Sequence, residues 1–444
     1  RIVFSGFIFA EEIFHAHTLH ALILELSPLL DILHFHHWIG WPGALIDRLL
    51  NSVIPKKVMT LHDFFPVCPS VNLLKHQKNF CSVEKDGDEC NQCLQRDYGW
   101  GDLRMEQYRG VARARLEKLD LLLFPSLSLR DYFVQAFSEM EGRLRERSRI
   151  LPHDLRPLFS LAQEKGRERS SGPVPSIQVK DPSRVKKRLI FIGHLVRHKG
   201  SEVLVEAWDE LLKAGFQIEI WGSYGGSAAH RILSHVSVKS FGSLPELKAL
   251  FANRGTETQD TVVLPSITAE SFSYSFYESI LLGRVPVVVG PYGHPAAVVR
   301  SERIGSAMST AEGQGLVAAC LEVQKNYGTD LAAVQIFADR LLSESFKEAP
   351  LDAYFKFVKE ISPQLSTNAL RVLRSAQLSQ IDALSQEREG LIIQFGILVQ
   401  KFMRRFPRLQ GFCFQVAKKL WIFLRRFKTW AAALKGREPL SRRS

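Results

Sequence analysis

The chain has 444 residues, 45% of them hydrophobic and 23% charged, with 29 glycines and 20 prolines. That composition excludes disordered, collagenous and disulfide-scaffold proteins and leaves room for two to three globular domains. The formal charge of +12 is local: residues 364–444 carry 16 Lys and Arg against four acids, whereas the first 363 residues carry 42 of each sign.

A neutral body with a basic tail points to an anionic partner at the tail and says nothing about the chemistry of the body. Apolar runs such as 391–399 fall far short of the ~20 residues a membrane span needs, so no transmembrane helix is expected. The chain opens on Arg1 with no signal-peptide pattern, and a missing N-terminus is expected. Six cysteines fit a reducing, cytoplasmic compartment.

In chain order, strand-like runs from Asp31 to His37 and from Lys56 to Asp63 flank a helix from Pro42 to Leu50. A polar, cysteine-bearing insertion occupies residues 64–100. A helix from Arg104 to Lys118, a strand from Leu119 to Ser126, a helix from Ser128 and a short strand at Arg149 to Leu151 complete a first α/β domain, residues 1–158. Residues 159–186 are rich in charge, Ser, Gly and Pro, as a linker is.

A second domain spans residues 187–363. Its expected strands are Arg188–Leu195, Gln217–Gly222, Val238–Phe241, Asp260–Ser266 and Pro286–Gly290, with helices beginning near Lys199, Ala228, Pro245 and Phe272. Nearly continuous apolar strands separated by helices predict a parallel sheet covered on both faces. Residues 364–444 form a helical, basic tail. Within it Val416, Leu420, Phe423, Phe427, Ala431 and Leu434 fall at helical spacing while Lys418, Lys419, Arg425 and Arg426 lie off that stripe. This pattern fits an interfacial membrane helix on anionic lipid, or a basic helix docked on protein.

The sharpest motif is the run ESFSYSFYE from Glu270 to Glu278, placed after Leu264-Pro265-Ser266 and before Gly283-Arg284-Val285-Pro286. If both carboxylates ride one helix, they stand about 12 Å apart. They can then hold hydroxyls at the two ends of an extended ligand, with a diphosphate at the helix N-terminus between them. The alternative is two unrelated exposed glutamates on an amphipathic helix.

With these residues the sequence resembles the retaining glycosyltransferases of family 4, whose GT-B fold consists of two facing Rossmann-like domains. The resemblance covers roughly residues 31–360. It rests on Pro265-Ser266, the Glu-x7-Glu pair, Gly283 to Val287, the Phe191 to Gly200 loop, Asp31 to His36, Thr60 to Asp63 and Leu123 to Ser126.

The resemblance implies that Glu270 contacts the transferred sugar, Glu278 the nucleotide ribose and Lys199 the diphosphate. It places His62 beside the reacting centre, making His62 and Glu270 the expected catalytic pair. Gly193, His194, Arg197, Ser271, Phe272 and Ser273 complete the expected donor site. A lysine offsets charge building on the leaving diphosphate, and no metal is required for that arrangement.

His194 stands where the family has arginine, with Arg197 nearby in sequence. Ser271 and Ser273 replace glycines, and the loop from Gly293 to Ala297 lacks the family's acid. Only about 30 residues precede Asp31, so the first domain is expected to be incomplete.

Cys68, Cys81, Cys90 and Cys93 form a second constellation, in which the Cys-x2-Cys half has the spacing of two ligands on one turn. Structural zinc, free thiols and disulfides all remain open readings. His34 and His36 share one face of their strand and His37 takes the other, which reads as cleft polarity or packing, or as a metal site.

The expected function is transfer of a sugar from a nucleotide-sugar donor to a glycan or lipid-linked acceptor in polysaccharide assembly, by an enzyme peripheral on the inner membrane face. The alternative is a non-catalytic, membrane-associated glycan-assembly module cut from a larger glycosyltransferase. Nucleic acid is not an expected partner, because the body is neutral.

Overall fold

The computed structural model describes residues 30–39, 41–162, 185–224, 237–239, 241, 243–252, 258–290, 292–345, 350–361 and 363. Contacts divide the chain at Leu370, and every described residue belongs to the first unit. The expected tail helix and the helix near Ala228 lie outside the described residues.

The first lobe is built on a four-stranded parallel sheet in the order β1-β2-β5-β6. Its strands are β1 (Ile32–Phe35), β2 (Lys56–Thr60), β5 (Leu121–Phe124) and β6 (Ser148–Ile150), joined by α1 (Gly43–Leu50), α3 (Met105–Leu116), α4 (Leu127–Ala136) and α5 (Glu141–Arg147). Between β2 and α3 lies the cysteine-bearing insertion. It holds a hairpin of β3 (Leu74–Lys75) and β4 (Asn79–Phe80), then α2 (Gly87–Tyr98), which Asp86 caps by accepting from the amides of Asp88 and Glu89.

The second lobe carries six parallel strands in the order β12-β11-β10-β7-β8-β9. They are β7 (Lys186–Leu195), β8 (Phe216–Tyr224), β9 (Ser237–Lys239), β10 (Thr258–Leu264), β11 (Val285–Val289) and β12 (Ser306–Met308). The helices are α6 (Ser201–Lys213), α7 (Leu244–Ala252), α8 (Tyr274–Leu281), α9 (His294–Glu302) and α10 (Gly313–Ser345).

The alternation of strand side chains explains why both faces need cover. Leu189, Phe191, Val263 and Val287 join one core cluster, while Ile190, Val262 and Val288 join the other. Burying apolar residues on both faces fixes the register, because a one-residue slip would exchange the two sets. The two-lobed α/β architecture is the expected one.

Three features differ from the sequence expectation. Residues Arg156–Leu161 form a 3-10 turn that buries Leu158, Phe159 and Leu161 in the second lobe's core, so packed chain continues to Ala162 rather than giving way to linker at 159. β9 covers Ser237–Lys239 rather than Val238–Phe241. Finally α11 (Pro350–Ile361), assigned by sequence to the second domain, packs on the first: Tyr354, Phe357 and Ile361 cover Val58, Leu121 and Leu123, and Arg149 pairs with Glu360 at 3.0 Å. Its apolar stripe supplies the second face that the four-stranded sheet would otherwise expose.

Candidate functional site

The order of the second sheet reverses between β7 and β10, and open parallel sheets bind ligands outside the carboxyl ends of their strands at such a point. A cleft lies there, lined by Gly193, His194, Lys199, Ser266, Glu270, Ser273 and Tyr292 among others, with about 670 Å³ of space open to solvent.

Local backbone chemistry builds its walls. Gly193, at φ 110°, lies near the carboxyl end of β7, and Gly222 beside it leaves no room for a Cβ, which would stand 2.2 Å from the Gly193 carbonyl oxygen. A 3-10 turn at Arg197–Lys199 leads into Gly200 at φ 85°, where α6 begins. The His198 carbonyl accepts from the Ile267 amide at 3.0 Å and the Ser266 hydroxyl at 3.3 Å, tying this turn to the end of β10. Lys199 Nζ thereby lies 2.5 Å from Glu270 Oε1 at the mouth of the cleft.

Glu270 is not on a helix. Ser273 caps α8 by accepting from the Phe276 amide, so the helix starts four residues later and the 12 Å helical separation from Glu278 does not apply. Glu270 sits in the preceding loop, where its carbonyl accepts from the His294 amide at 2.8 Å. Burial holds the Glu278 carboxyl above its ordinary pKa, and this residue is not among those lining the cleft.

The other expected donor residues divide. Gly193, His194, Lys199, Glu270 and Ser273 border the cleft. His194 Nδ1 lies 2.6 Å from Ser223 Oγ. Arg197 does not reach the cleft lining: it pairs with Glu202 at 2.9 Å and donates to Gln77 of the insertion at 3.2 Å. Phe272 is buried and stacks on Tyr277 and His294. Ser271 donates to the His62 carbonyl at 2.5 Å, bringing His62 of the first lobe beside the Glu270 loop.

His62 lies in a set of imidazoles at the carboxyl ends of the first sheet. Burial, with the neighbouring His153 and His36, lowers its pKa to about 4. Burial likewise lowers His36 and His153, and His34 well below the usual histidine value. β1 ends at Phe35, so His36 and His37 lie beyond the strand on which they were expected, and His37 meets Asp63 at 2.6 Å. Tyr292 and His153 were not legible as site residues. Tyr292 lies in the short loop between β11 and α9, where its hydroxyl donates to the Ile267 carbonyl at 3.2 Å, and His153 falls in an irregular segment after β6 with no motif around it.

The four cysteines converge. Cys68, Cys81, Cys90 and Cys93 line one small cavity in the insertion, and none is joined in a disulfide. Burial pushes the Cys90 thiol up to about 11 and the Cys93 thiol up to about 12. Among the described residues no group of three or more His, Cys, Asp or Glu side chains stands in metal-ligating geometry. No described helix is long and apolar enough to cross a membrane.

No curated protein matches the chain. Among solved structures, a glycosyltransferase from Rickettsia africae aligns at 15% identity over 82% of this chain and 85% of its own, with a TM-score of 0.49. Anabaena HepE in complex with UDP-glucose aligns at 15% identity over 78% and 82%, with a TM-score of 0.46. The catalytic domain of starch synthase IV from Arabidopsis thaliana, bound to ADP and acarbose, aligns at 13% identity over 78% and 76%, also at 0.46. In sequence, residues 186–326, which hold every residue lining the cleft, match the family described as Glycosyl transferases group 1, a similarity that supports sugar transfer as the chemistry of this lobe.

Proposed function

We propose that the chain is a retaining glycosyltransferase of the family 4 type, moving a sugar from a nucleotide-sugar donor to a glycan or lipid-linked acceptor in polysaccharide assembly. The observation that carries this reading is the Lys199–Glu270 pair at the mouth of a cleft on the sheet's switch point. A fixed cation there meets the charge that grows on a departing diphosphate, and it need not reorganise as the bond breaks. Glu270, on a loop tied to His294 and to the first lobe, would accept from hydroxyls of the transferred sugar. His62 faces the same loop from the other lobe with a neutral imidazole.

In this reading Lys199 performs the electrostatic work and no metal is needed for catalysis. Glu278 is the ribose contact, reached only if its half-buried carboxyl opens to the cleft. The basic tail holds the enzyme on an anionic membrane face, and flotation with vesicles containing anionic lipid but not with neutral ones is the expected result. The four cysteines line one cavity without standing in metal-ligating geometry, so the structural zinc site they would form is decided by metal analysis of protein purified without chelator: close to one equivalent supports it and well under one removes it. Engagement of Arg197 by Glu202 favours the second reading, a non-catalytic module that binds nucleotide without turnover. Nucleotide binding without turnover in the wild type would establish the second reading, and replacing Glu270 with alanine tests the first: transfer and donor hydrolysis should vanish with the fold intact, and full activity in that variant would remove Glu270 from the mechanism.

A further inference from the structure

Six aromatic rings stand in one column that runs from α11 through the first sheet into the second lobe. Tyr354 stacks on His34 with centroids 5.2 Å apart, His34 on His36 at 4.3 Å, His36 on His62 at 5.8 Å, His62 on His153 at 5.4 Å, and His153 on Tyr274 at 5.8 Å. No interplanar angle exceeds 28°. The members come from five separate segments, so the column is made by the fold and not by local sequence. Two inner members are held from the side: His34 Nε2 meets Thr60 Oγ1 at 2.8 Å, and Phe272 packs edge-on against His153 at 4.8 Å.

Within the column His153 is the link between lobes. On one side it meets His62, the first-lobe imidazole beside the Glu270 loop; on the other it meets Tyr274, the first residue of α8. We propose that His153 is a positioning residue for His62, fixing the plane of that imidazole by filling the space between it and the second-lobe ring of Tyr274. The proposal rests on the reading above, in which His62 borders the reacting centre.

Stacked neutral rings attract weakly, whereas two charged ones this close repel. The titratable groups bearing on His62 are His153 from the segment after β6, His36 and His37 from the segment after β1, and Asp63 next in sequence. The three histidines lower its affinity for a proton and Asp63 raises it. Removing the His153 ring takes away one lowering influence and admits water, so the His62 midpoint must rise.

The test uses the full chain with 13C-labelled histidine, comparing wild type, His153→Ala and His153→Phe. In His153→Ala the His62 resonance should titrate at higher pH, and kcat should fall roughly ten- to hundredfold, the scale of a misplaced reacting group. KM for the donor should change less than about twofold, because His153 does not line the cleft. His153→Phe restores a ring and should recover most of the lost kcat, with its acid limb moved to higher pH. An unchanged His62 titration in His153→Ala overturns the proposal, as does a phenylalanine variant no better than alanine. Should alanine fail to fold, His153→Asn takes its place in the same comparison. A wild-type protein that transfers no sugar defeats the reading of the site, while the His62 titration still decides the positioning claim.

Discussion

Gly200 separates backbone strain from steric overlap in one pair of variants. It follows Lys199 at φ 85°, and an added Cβ would stand 1.9 Å from the carbonyl oxygen and 2.6 Å from the carbonyl carbon of Pro265, at the end of β10. Gly215 has nearly the same backbone, φ 82°, and a Cβ added there would meet no heavy atom within 4 Å. Gly215→Ala therefore bears only the left-handed cost, about 1–2 kcal/mol. Gly200→Ala bears that cost plus overpacking against rigid backbone, a further ~1–3 kcal/mol by analogy with crowded cores. Since the Pro265 carbonyl cannot rotate away, the turn carrying Lys199 and the strand end carrying Ser266 must separate, stretching the two bonds to the His198 carbonyl.

Urea unfolding should show a lower midpoint for Gly200→Ala than for Gly215→Ala at similar slope. Affinity for a nucleoside diphosphate should fall more than about tenfold in the first variant, a loss of more than about 1.4 kcal/mol, and stay near wild type in the second. Equal midpoints and equal affinities in the two would refute the assigned contact between these loops.

Two further outcomes follow from the same geometry. His62 and His294 are both lowered to about 4, from the ordinary value of 6.5, chiefly by burial. The unfolded chain therefore binds protons that the folded one does not, so their contribution is fully present above about pH 6.5 and is lost as pH falls toward 4. The loss approaches ~3 kcal/mol for each residue. Thermal melts between pH 7 and 4.5 should show a falling midpoint, less steep in a His294→Phe variant. Ser273→Ala removes the cap of α8 and should cost about 1 kcal/mol in urea unfolding, with the larger effect on donor binding because Ser273 also borders the cleft.

Much of this was legible in sequence for a physical reason. Strands covered on both faces, such as the VPVVV of β11, are apolar throughout and cannot be mistaken for surface elements. The glycines of the Phe191 to Gly200 loop mark conformations that only glycine adopts at low cost, and they bring Lys199 to the cleft as expected. What was hidden depends on tertiary contact. Glu270 and Glu278 look like one helical pair, but the cap belongs to Ser273, and sequence spacing does not say which of three nearby serines ends the loop. Arg197 stands two residues from Lys199 yet finds Glu202 in the first turn of α6, so proximity in sequence did not make it a cleft residue. Nothing around His153 or Tyr354 advertises a role, because their ring partners lie far away in the chain. α11 was not among the helices read from the sequence, and the sheet it covers could be learned only from packing.

The central claim is that the cleft around Lys199 and Glu270 binds the diphosphate of a nucleotide-sugar, and calorimetric titration of nucleoside diphosphates into wild type and Lys199→Ala tests it most directly. The account predicts saturable binding of at least one nucleoside diphosphate to wild type, weakened by about tenfold or more in Lys199→Ala, as the loss of a charged contact worth roughly 1.5–3 kcal/mol requires. Binding of equal strength to both proteins, or no binding to either, would contradict it.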